Sequence, residues 1–333
     1  MKLTKYPHNP ILTPNPAGYW EKAAVLNPGA WFENGTVYML YRASGEFKDY
    51  RIYFGLATSK DGFNFERVFQ EPVFGPSEGG FDGGCVEDAR IVKLDDLYYV
   101  TYAARAVPPE MFWQGRGPKI PEGSPRSITE NLSRTGLATT KDFRTFHRLG
   151  PITRDDVDDR DVIIFPEKID GKYVMMHRPA EWVGEEYGTD QAAIWLAYSD
   201  DLLNWTDERL LAKPEFDWEC GKVGGSCPPI KTPQGWLTIY HGVDATKTYR
   251  TGVMMLDLND PSKIIARAPD FIMEPETECE KCGFVPNVVF PTSNVVIDDT
   301  LFVYYGGADQ VCCVATVVLK DLVDYVLQYP WTK

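Results

Sequence analysis

An internal repeat constrains the fold of this chain more than any other feature of its sequence. Three segments align without gaps: residues 55–65 (GLATSKDGFNF), 136–146 (GLATTKDFRTF) and 195–205 (WLAYSDDLLNW). Each combines an apolar strand, a Ser/Thr-x-Asp turn and an aromatic residue that begins the next strand. Weaker copies begin at Gly252 and Cys313. About five copies of one unit predict a circular array of repeats.

A second repeated segment precedes each copy of the first. Its copies are residues 35–44, 96–105, 171–180, 235–244 and 299–309. Each consists of turn residues followed by alternating aromatic and β-branched residues, a pattern typical of a strand. A further strand-like stretch comes before every one of them. The full unit therefore matches one propeller blade, and we predict an all-β fold, a five-bladed β-propeller with a central active-site cavity.

No linker divides the chain, so we predict a single catalytic domain over residues 1–333, a length that propellers reach as one body. The largest insertion, residues 106–133, is rich in Pro, Gly and basic residues and has no periodicity, which predicts a loop. It could close one side of the site or contact a second copy, so a homo-oligomer stays open. The C-terminal segment 321–331 could be a short helix or a closing strand.

The charge of the chain restricts its partners. A formal net charge of −14 argues against binding nucleic acid or an anionic membrane surface. The N-terminal residues lack the apolar core of a secretory signal, and no run approaches the about 18 apolar residues of a membrane span. Seven cysteines without a framework spacing fit reduced thiols. We therefore expect a cytoplasmic protein.

Polar residues of different blades should converge at one end of the ring, because each blade presents its first strand to the central channel. Asp88 is a candidate general acid there, although it could instead form a structural pair with Arg90. The convergent candidates of the first strands are Asn27, Glu87, Asp88, Arg90, residues 158–161, Lys222 and Asn287, and those at the ends of the second strands are Arg42, His177, Arg178, His241 and Asp309.

A cationic group stands out in this acidic chain. Its members, from the predicted third and fourth blades, are Arg160, His177, Arg178, Lys222 and His241. Clustered cations suit a phosphate or another anion, which an arginine can bind bidentately. Each could instead pair with a carboxylate such as Glu167 or Asp161. Aromatic residues could stack on sugars or belong to the core, and the candidates are Trp20, Trp31, Tyr41, Tyr102 and Trp113.

Taken in order, the motifs resemble those of glycoside hydrolase family 130, the β-mannoside phosphorylases and related β-mannosidases, over nearly the whole chain. The matching motifs are Asn27-Pro-Gly, Tyr41-Arg42, Glu87-Asp-Ala-Arg90, Phe165-Pro-Glu-Lys168, His177-Arg-Pro179, Lys222-Val-Gly, Tyr240-His-Gly-Val243, residues 283–291 (GFVPNVVFP) and residues 304–309 (YYGGAD). The resemblance implies a five-bladed propeller. The chain departs from many members at Ala89, where they have proline, and from several at Glu87, where they have tyrosine.

The resemblance also implies roles for individual residues. Asp88 matches the catalytic acid, whose proton is expected to pass through the 3-hydroxyl of the mannose. The phosphate-binding positions are Arg160, Arg178, Lys222 and His241. The substrate-binding positions are Asn27, Arg42, Glu87, Arg90, His177 and Asp309. No metal or organic cofactor is implied, and inorganic phosphate is the co-substrate.

Phosphate needs no activating base, whereas an inverting hydrolase needs a second carboxylate to deprotonate water. Together with the resemblance to this family, the cationic set therefore predicts a glycoside phosphorylase that releases α-D-mannose 1-phosphate from a β-mannoside oligosaccharide, with inversion and reversibly. We favour β-1,2-mannobiose or oligomannan as substrate. The alternatives are a β-1,4-mannoside phosphorylase with mannose, glucose or N-acetylglucosamine as acceptor, a β-mannosidase that uses water, and a non-catalytic carbohydrate-binding propeller.

Overall fold

The computed structural model describes residues 1–332 and is a five-bladed β-propeller. The β-strands, in chain order, are β1 (Thr4–Lys5), β2 (Ala24–Glu33), β3 (Thr36–Ser44), β4 (Ile52–Ser59), β5 (Glu66–Arg67), β6 (Cys85–Leu94), β7 (Leu97–Arg105), β8 (Arg134–Thr140), β9 (Phe146–Pro151), β10 (Asp159–Ile164), β11 (Tyr173–Pro179), β12 (Ile194–Ser199), β13 (Thr206–Ala212), β14 (Lys222–Gly225), β15 (Ile230–Thr232), β16 (Gly235–Val243), β17 (Tyr249–Leu256), β18 (Ile264–Arg267), β19 (Val289–Ile297), β20 (Thr300–Gly307) and β21 (Val311–Val318).

Each blade is an antiparallel sheet whose strands follow one another outward from the ring centre. The first three blades are β2–β5, β6–β9 and β10–β13, and the fourth is β14–β18, in which β14 and β15 both pair with β16. A parallel bridge from Ile52 to Cys85 joins the first two blades. Because the strands alternate in direction, the start of each first strand and the end of each second strand meet at one end of the ring.

The fifth blade closes the ring with both ends of the chain. Strands β19, β20 and β21 are completed by β1, where Thr4 pairs with Thr316 and Lys5 with Ala315. The C-terminal segment after β21 is a helix and not a closing strand. Its buried face, Leu322, Val323 and Val326, packs into the core. The α-helices are α1 (Pro109–Trp113), α2 (Arg126–Thr129), α3 (Glu278–Lys281) and α4 (Leu319–Val326).

The Ser/Thr-x-Asp repeat forms the turn from the third to the fourth strand of a blade. In the first blade, Asp61 Oδ1 accepts hydrogen bonds from the main-chain N–H groups of Phe63 at 2.9 Å and Asn64 at 2.8 Å. Asp142 and Asp201 accept the same two bonds in the second and third blades. An aspartate that caps its own turn explains why this segment repeats.

The glycine that begins the repeat makes room for a tyrosine of the neighbouring strand. A Cβ atom at Gly55 would lie 2.2 Å from Cζ of Tyr41. The Tyr41 hydroxyl donates to Glu21 at 2.9 Å, and Arg67 donates to the same carboxylate at 2.8 Å. This buried set of tyrosine, acid and cation recurs in three other blades as Tyr102–Asp82–Arg148, Tyr240–Glu219–Arg267 and Tyr305–Glu280–Lys5.

The aromatic residues considered for sugar stacking divide into core and surface. Trp20, Tyr41 and Tyr102 are fully buried in the blades, so the core interpretation holds for them. Trp31 is partly buried, and Trp113 lies exposed on α1. The insertion 106–133 was predicted as a loop, but it contains two short helices, α1 and α2. Within residues 1–332, no helix has the length and apolar character needed to cross a bilayer.

Candidate active site

β-Bulges in the innermost strands direct polar side chains to the ring centre. Register shifts interrupt the pairing of β2 with β3, β6 with β7 and β10 with β11. There Asn27, Asp88 and Asp161 adopt φ values of 43°, 55° and 55°. Asn and Asp tolerate this left-handed region better than other residues with a side chain. All three line the central cavity, so the bulges place a polar group from each of three blades in one site.

The cavity has a volume of about 230 Å³. It brings together nine of the residues predicted for the site, namely Asn27, Arg42, Glu87, Asp88, Arg160, Arg178, Lys222, His241 and Asp309. Asp161, considered only within the range 158–161, also lines it, and the remaining wall residues, which the sequence analysis missed, are Tyr249, Val285, Val288 and Phe290. These four are mostly apolar and carry no chemical signature that sets them apart from core residues.

One wall of the cavity is rich in carboxylates and comes from the first, second and fifth blades. Asp88 Oδ1 accepts hydrogen bonds from Asn27 Nδ2 and Arg42 Nη1, both at 2.8 Å. Arg42 Nη1 also lies 3.2 Å from Glu87 Oε2, and the Cys85 thiol donates to Glu87 Oε1 at 3.1 Å. Among the described residues, none donates to Asp88 Oδ2, so this oxygen stays available to a substrate.

Asp309 completes the carboxylate wall from the fifth blade. Burial raises the pKa of Asp309 to about 6, and the nearby charges of Asp88 and Glu87 act in the same direction, although Arg42 opposes them. Three carboxyl groups thus share one arginine at this wall. Such crowding favours binding of hydroxyl groups and shifts Asp309 toward its protonated form.

The opposite wall is cationic and comes from the third and fourth blades. Arg178 Nε donates to Asp161 Oδ2 at 2.6 Å, and His241 Nε2 lies 3.6 Å from the same oxygen. Burial raises the pKa of Asp161, but the charges around it, Arg178 first, outweigh burial and hold that pKa well below its usual range. Asp161 is therefore ionised and holds Arg178 in place.

His241 is a neutral hydrogen-bond donor in this wall. Burial lowers the pKa of His241 to about 3, and the Arg178 and Lys222 charges contribute, although Asp161 opposes them. Ser226 Oγ lies 3.2 Å from Nδ1. A hydroxyl that donates to Nδ1 leaves the ring proton on Nε2. That nitrogen is buried without a hydrogen-bond partner among the described residues, so it is free to donate to a ligand.

Arg160 and Lys222 complete the cationic wall. Asp158 accepts two hydrogen bonds from Arg160, from Nε at 2.7 Å and from Nη2 at 3.0 Å, which fixes the guanidinium plane. Lys222 Nζ lies 5.0 Å above the ring of Tyr249. Burial, together with the charges of Arg178 and Arg160 and against that of Asp161, lowers the pKa of Lys222 to about 7. An anion bound here would relieve that repulsion.

Two residues predicted to bind substrate lie behind the wall. Arg90 is buried, and its Nη1 donates to the main-chain oxygen of Asp88 at 2.8 Å, not to the carboxylate. The structural pair considered for Asp88 is therefore formed with Arg42. His177 is buried at the position that tyrosine takes in the other blades, with Nδ1 2.8 Å from Asp159 Oδ2 and Trp195 opposite in place of glycine. Neither side chain lines the cavity.

Comparison with known proteins agrees with this architecture. A sequence profile of glycoside hydrolase family 130, described as β-1,4-mannooligosaccharide phosphorylase, matches residues 5–109 and 127–328. The unmatched residues between these stretches lie inside the predicted insertion. A 1,2-β-oligomannan phosphorylase from Thermoanaerobacter sp. (strain X514) is 40% identical over 328 residues, which are 97% of this chain and 99% of the relative. A β-1,2-mannobiose phosphorylase from the same organism is 37% identical over 339 residues, with the same coverage of 97% and 99%.

A solved structure supports the same conclusion. The β-1,2-mannobiose phosphorylase of Listeria innocua, in complex with β-1,2-mannobiose, matches with a TM-score of 0.80 at 28% identity, covering 98% of this chain and 99% of that chain. The profile, the two sequence relatives and this structure each span nearly the full length. This chain belongs to glycoside hydrolase family 130.

Proposed function

We propose that this protein cleaves β-1,2-linked mannosides with inorganic phosphate, inverts the anomeric carbon and releases α-D-mannose 1-phosphate in a reversible reaction. The observation that carries the proposal is a single cavity with a carboxylate wall around Asp88 and a wall of donors formed by Arg160, Arg178, Lys222 and His241. The first wall suits a sugar and a proton donor, and the second suits a phosphate dianion.

The two walls suggest a division of roles. A mannosyl unit bound between them has the phosphate on one face and Asp88 on the other. A phosphate oxygen attacks the anomeric carbon, and the bond from that carbon to the glycosidic oxygen breaks. The proton of the Asp88 carboxyl reaches the departing oxygen through the 3-hydroxyl of the mannose. Attack from the face opposite the leaving group inverts the configuration.

Supporting residues hold these groups in position. Asn27 and Arg42 fix Oδ1 of Asp88, and Arg90 fixes its backbone at the bulge. We assign Asn27, Arg42, Glu87 and Asp309 to binding of the mannosyl unit, because they line the same wall. Arg90 acts from behind that wall and His177 from behind the cationic wall, and both support the shape of the cavity. Phosphate binds Arg160, Arg178, Lys222 and His241.

The linkage is supported by the relatives. The two Thermoanaerobacter enzymes at 40% and 37% identity are named for β-1,2-oligomannan and β-1,2-mannobiose, and so is the Listeria structure. The family profile carries a β-1,4 description. We favour the β-1,2 linkage, because full-length identity is a closer comparison than a family-wide profile, and a β-1,4-mannoside remains the second substrate to assay.

A β-mannosidase is the second candidate function, because the cavity contains carboxylates besides Asp88 that could activate water. However, Asp161 is bound to Arg178 at 2.6 Å, and the surrounding cations lower its pKa, which weakens it as a base. The cations of the same wall have no role in attack by neutral water. Phosphorolysis uses all of them.

The deciding experiment compares wild-type protein and the Asp88→Asn variant on β-1,2-mannobiose with and without inorganic phosphate. We expect cleavage only with phosphate and only in the wild type. Release of free mannose at the same rate without phosphate would establish the hydrolase. Binding of mannobiose with no turnover under either condition would favour the non-catalytic propeller.

The chain is proposed to act as one catalytic domain in the cytoplasm on a mannoside oligosaccharide and phosphate. Whether it forms a homo-oligomer stays a prediction for size-exclusion chromatography with light scattering. A mass equal to one chain would show that the insertion does not join two copies.

A further inference from the structure

We propose that Phe47, Tyr50 and Phe284 form an aromatic platform at the mouth of the cavity that binds the acceptor-side mannose residues of oligosaccharides longer than mannobiose. These three residues are called the rim platform below. The inference rests on the proposed function and deepens it, because it concerns the chain length of the substrate.

The rim platform joins two loops from neighbouring blades. The rings of Phe47 and Phe284 are stacked, with centroids 4.4 Å apart and planes 9° apart. Tyr50 lies 5.3 Å from Phe284 and 5.8 Å from Phe47. Phe47 and Tyr50 belong to the connection from β3 to β4, and Phe284 to the segment before β19. Both connections are at the end of the ring where the polar site residues gather.

The platform is continuous with the cavity wall. The Tyr50 hydroxyl accepts a hydrogen bond from Arg42 Nη2 at 3.4 Å, and Nη1 of the same arginine donates to Asp88. Val285, the residue after Phe284, lines the cavity. A ligand that leaves the cavity on the carboxylate side therefore passes Phe284.

The size of the cavity requires such a surface for longer substrates. At about 230 Å³, it is below the about 300 Å³ at which pockets for drug-sized ligands begin. That volume suits one mannosyl unit and a phosphate, so we place the second unit in the mouth of the cavity and any third or fourth unit outside it, over the rim platform. Phe284 remains 43% exposed although Phe47 covers one of its faces. The apolar C–H face of a sugar ring is the complementary partner of an open aromatic face.

The insertion holds the Phe47 loop in place. Arg116 Nη1 donates to Asp49 Oδ1 at 2.7 Å, and Arg116 Nη2 donates to the main-chain oxygen of Lys48 at 2.9 Å. Arg116 lies in the part of the insertion that the family profile does not match. The platform is thus braced by a segment that the family profile leaves unmatched, so a chain-length preference set here would vary within the family.

The test is the Phe284→Ala variant, with Leu203→Ala as a matched control. Leu203 is also 43% exposed, but it lies in the turn after β12, at the opposite end of the ring. We expect Phe284→Ala to lower kcat/KM for β-1,2-mannotetraose by about fivefold to tenfold, through KM, and to change kcat/KM for mannobiose less than twofold. Leu203→Ala should change neither value.

If Phe284 only stabilised the contact between two blades, its substitution would have different effects. If Phe284→Ala lowers the unfolding temperature and reduces turnover of both substrates equally, or if the ratio of the two kcat/KM values is unchanged, the proposal is overturned. Phe284→Leu keeps an apolar contact with Phe47 and removes the aromatic face, so it should reproduce the loss for mannotetraose in a stable protein. Failure of the proposed function itself would show separately, as wild-type protein that does not turn over mannobiose with phosphate.

Discussion

Two aspartates at the start of the third blade each hold one arginine of the cationic wall. Asp158 binds Arg160 through two hydrogen bonds, and Asp161 binds Arg178 through one. A guanidinium carries five N–H donors, so each arginine keeps donors for a ligand. Because the side chains are already ordered, phosphate binding needs little further ordering. Asp158 does not line the cavity, and of the described groups that it binds, which include Arg105 and the Ser133 N–H, only Arg160 does.

Replacing Asp158 with Asn should therefore weaken phosphate binding selectively. We expect KM for phosphate to rise about tenfold while KM for the mannoside changes little, because Arg160 loses a charged partner and its fixed orientation. Steady-state kinetics with each substrate varied in turn measure both values. Asp207→Asn is the control, since Asp207 and Arg209 form the same two-residue-spaced pair at an exposed position. Equal effects on the two KM values would argue against this positioning role.

Lys222 should make phosphate binding depend on pH. Burial and neighbouring cations lower its pKa to about 7, so its charge is present below that pH and is lost as the pH rises through it. A dianion binds the charged form, and KM for phosphate should rise about tenfold from pH 7 to 8.5. Lys222→Arg stays charged throughout, so this variant should lose most of the slope. The ionisation of phosphate itself affects both proteins equally and leaves only a common residual slope. Parallel profiles would assign the slope to another group.

At the level of strands, two-residue periodicity explains which predicted residues reach the cavity. Adjacent residues of a strand face opposite ways. At the end of β11, Arg178 lines the cavity, whereas His177 points into the blade, at the position that tyrosine takes in the other blades, and contacts Asp159. Tyr41 and Arg42 divide in the same way, as do Tyr240 and His241. Of these pairs, His177 and Arg178 were both predicted as site residues, because sequence resemblance does not separate a supporting residue from one that contacts the ligand.

The glycine of the repeat offers a stability test at this scale. Gly55→Ala places a methyl group 2.2 Å from Cζ of Tyr41 and should lower the free energy of unfolding by about 2 kcal/mol. Chemical denaturation measures the change. Thr58→Ala, on the same strand, should have a smaller effect. A Gly55→Ala protein as stable as the wild type would show that the tyrosine packs loosely.

For the whole molecule, the repeats predicted the number of blades but not how the ring closes. The turns and paired strands of a blade are local, so they leave a pattern in the sequence. The closing strand β1 is two residues long and pairs with β21, more than three hundred positions away, and neither fact has a local signature. In the third blade, His177 takes the place of the tyrosine of the other blades, and Trp195 takes the place of the glycine found in the first, second and fourth, which the repeat did not predict.

An ion pair with a buried carboxylate holds Lys5 of the closing strand. Its Nζ binds Glu280 Oε2 at 2.8 Å and the main-chain oxygen of Glu274 at 2.6 Å, and the Glu280 side chain is fully buried. Lys5→Ala should lower the free energy of unfolding by about 2 kcal/mol, because it leaves that carboxylate without its cation. Lys2→Ala, which removes an exposed contact, is the control. Denaturation midpoints that match for the two variants would refute a special role for the closing strand.

The account as a whole depends on phosphate being the nucleophile at the cationic wall. The most direct measurement is a phosphorus NMR time course of the wild-type protein with β-1,2-mannobiose and inorganic phosphate. The account predicts α-D-mannose 1-phosphate as the first phosphorylated product, formed in equal amount with free mannose. Free mannose without any sugar phosphate, or the β-anomer of mannose 1-phosphate, would contradict it.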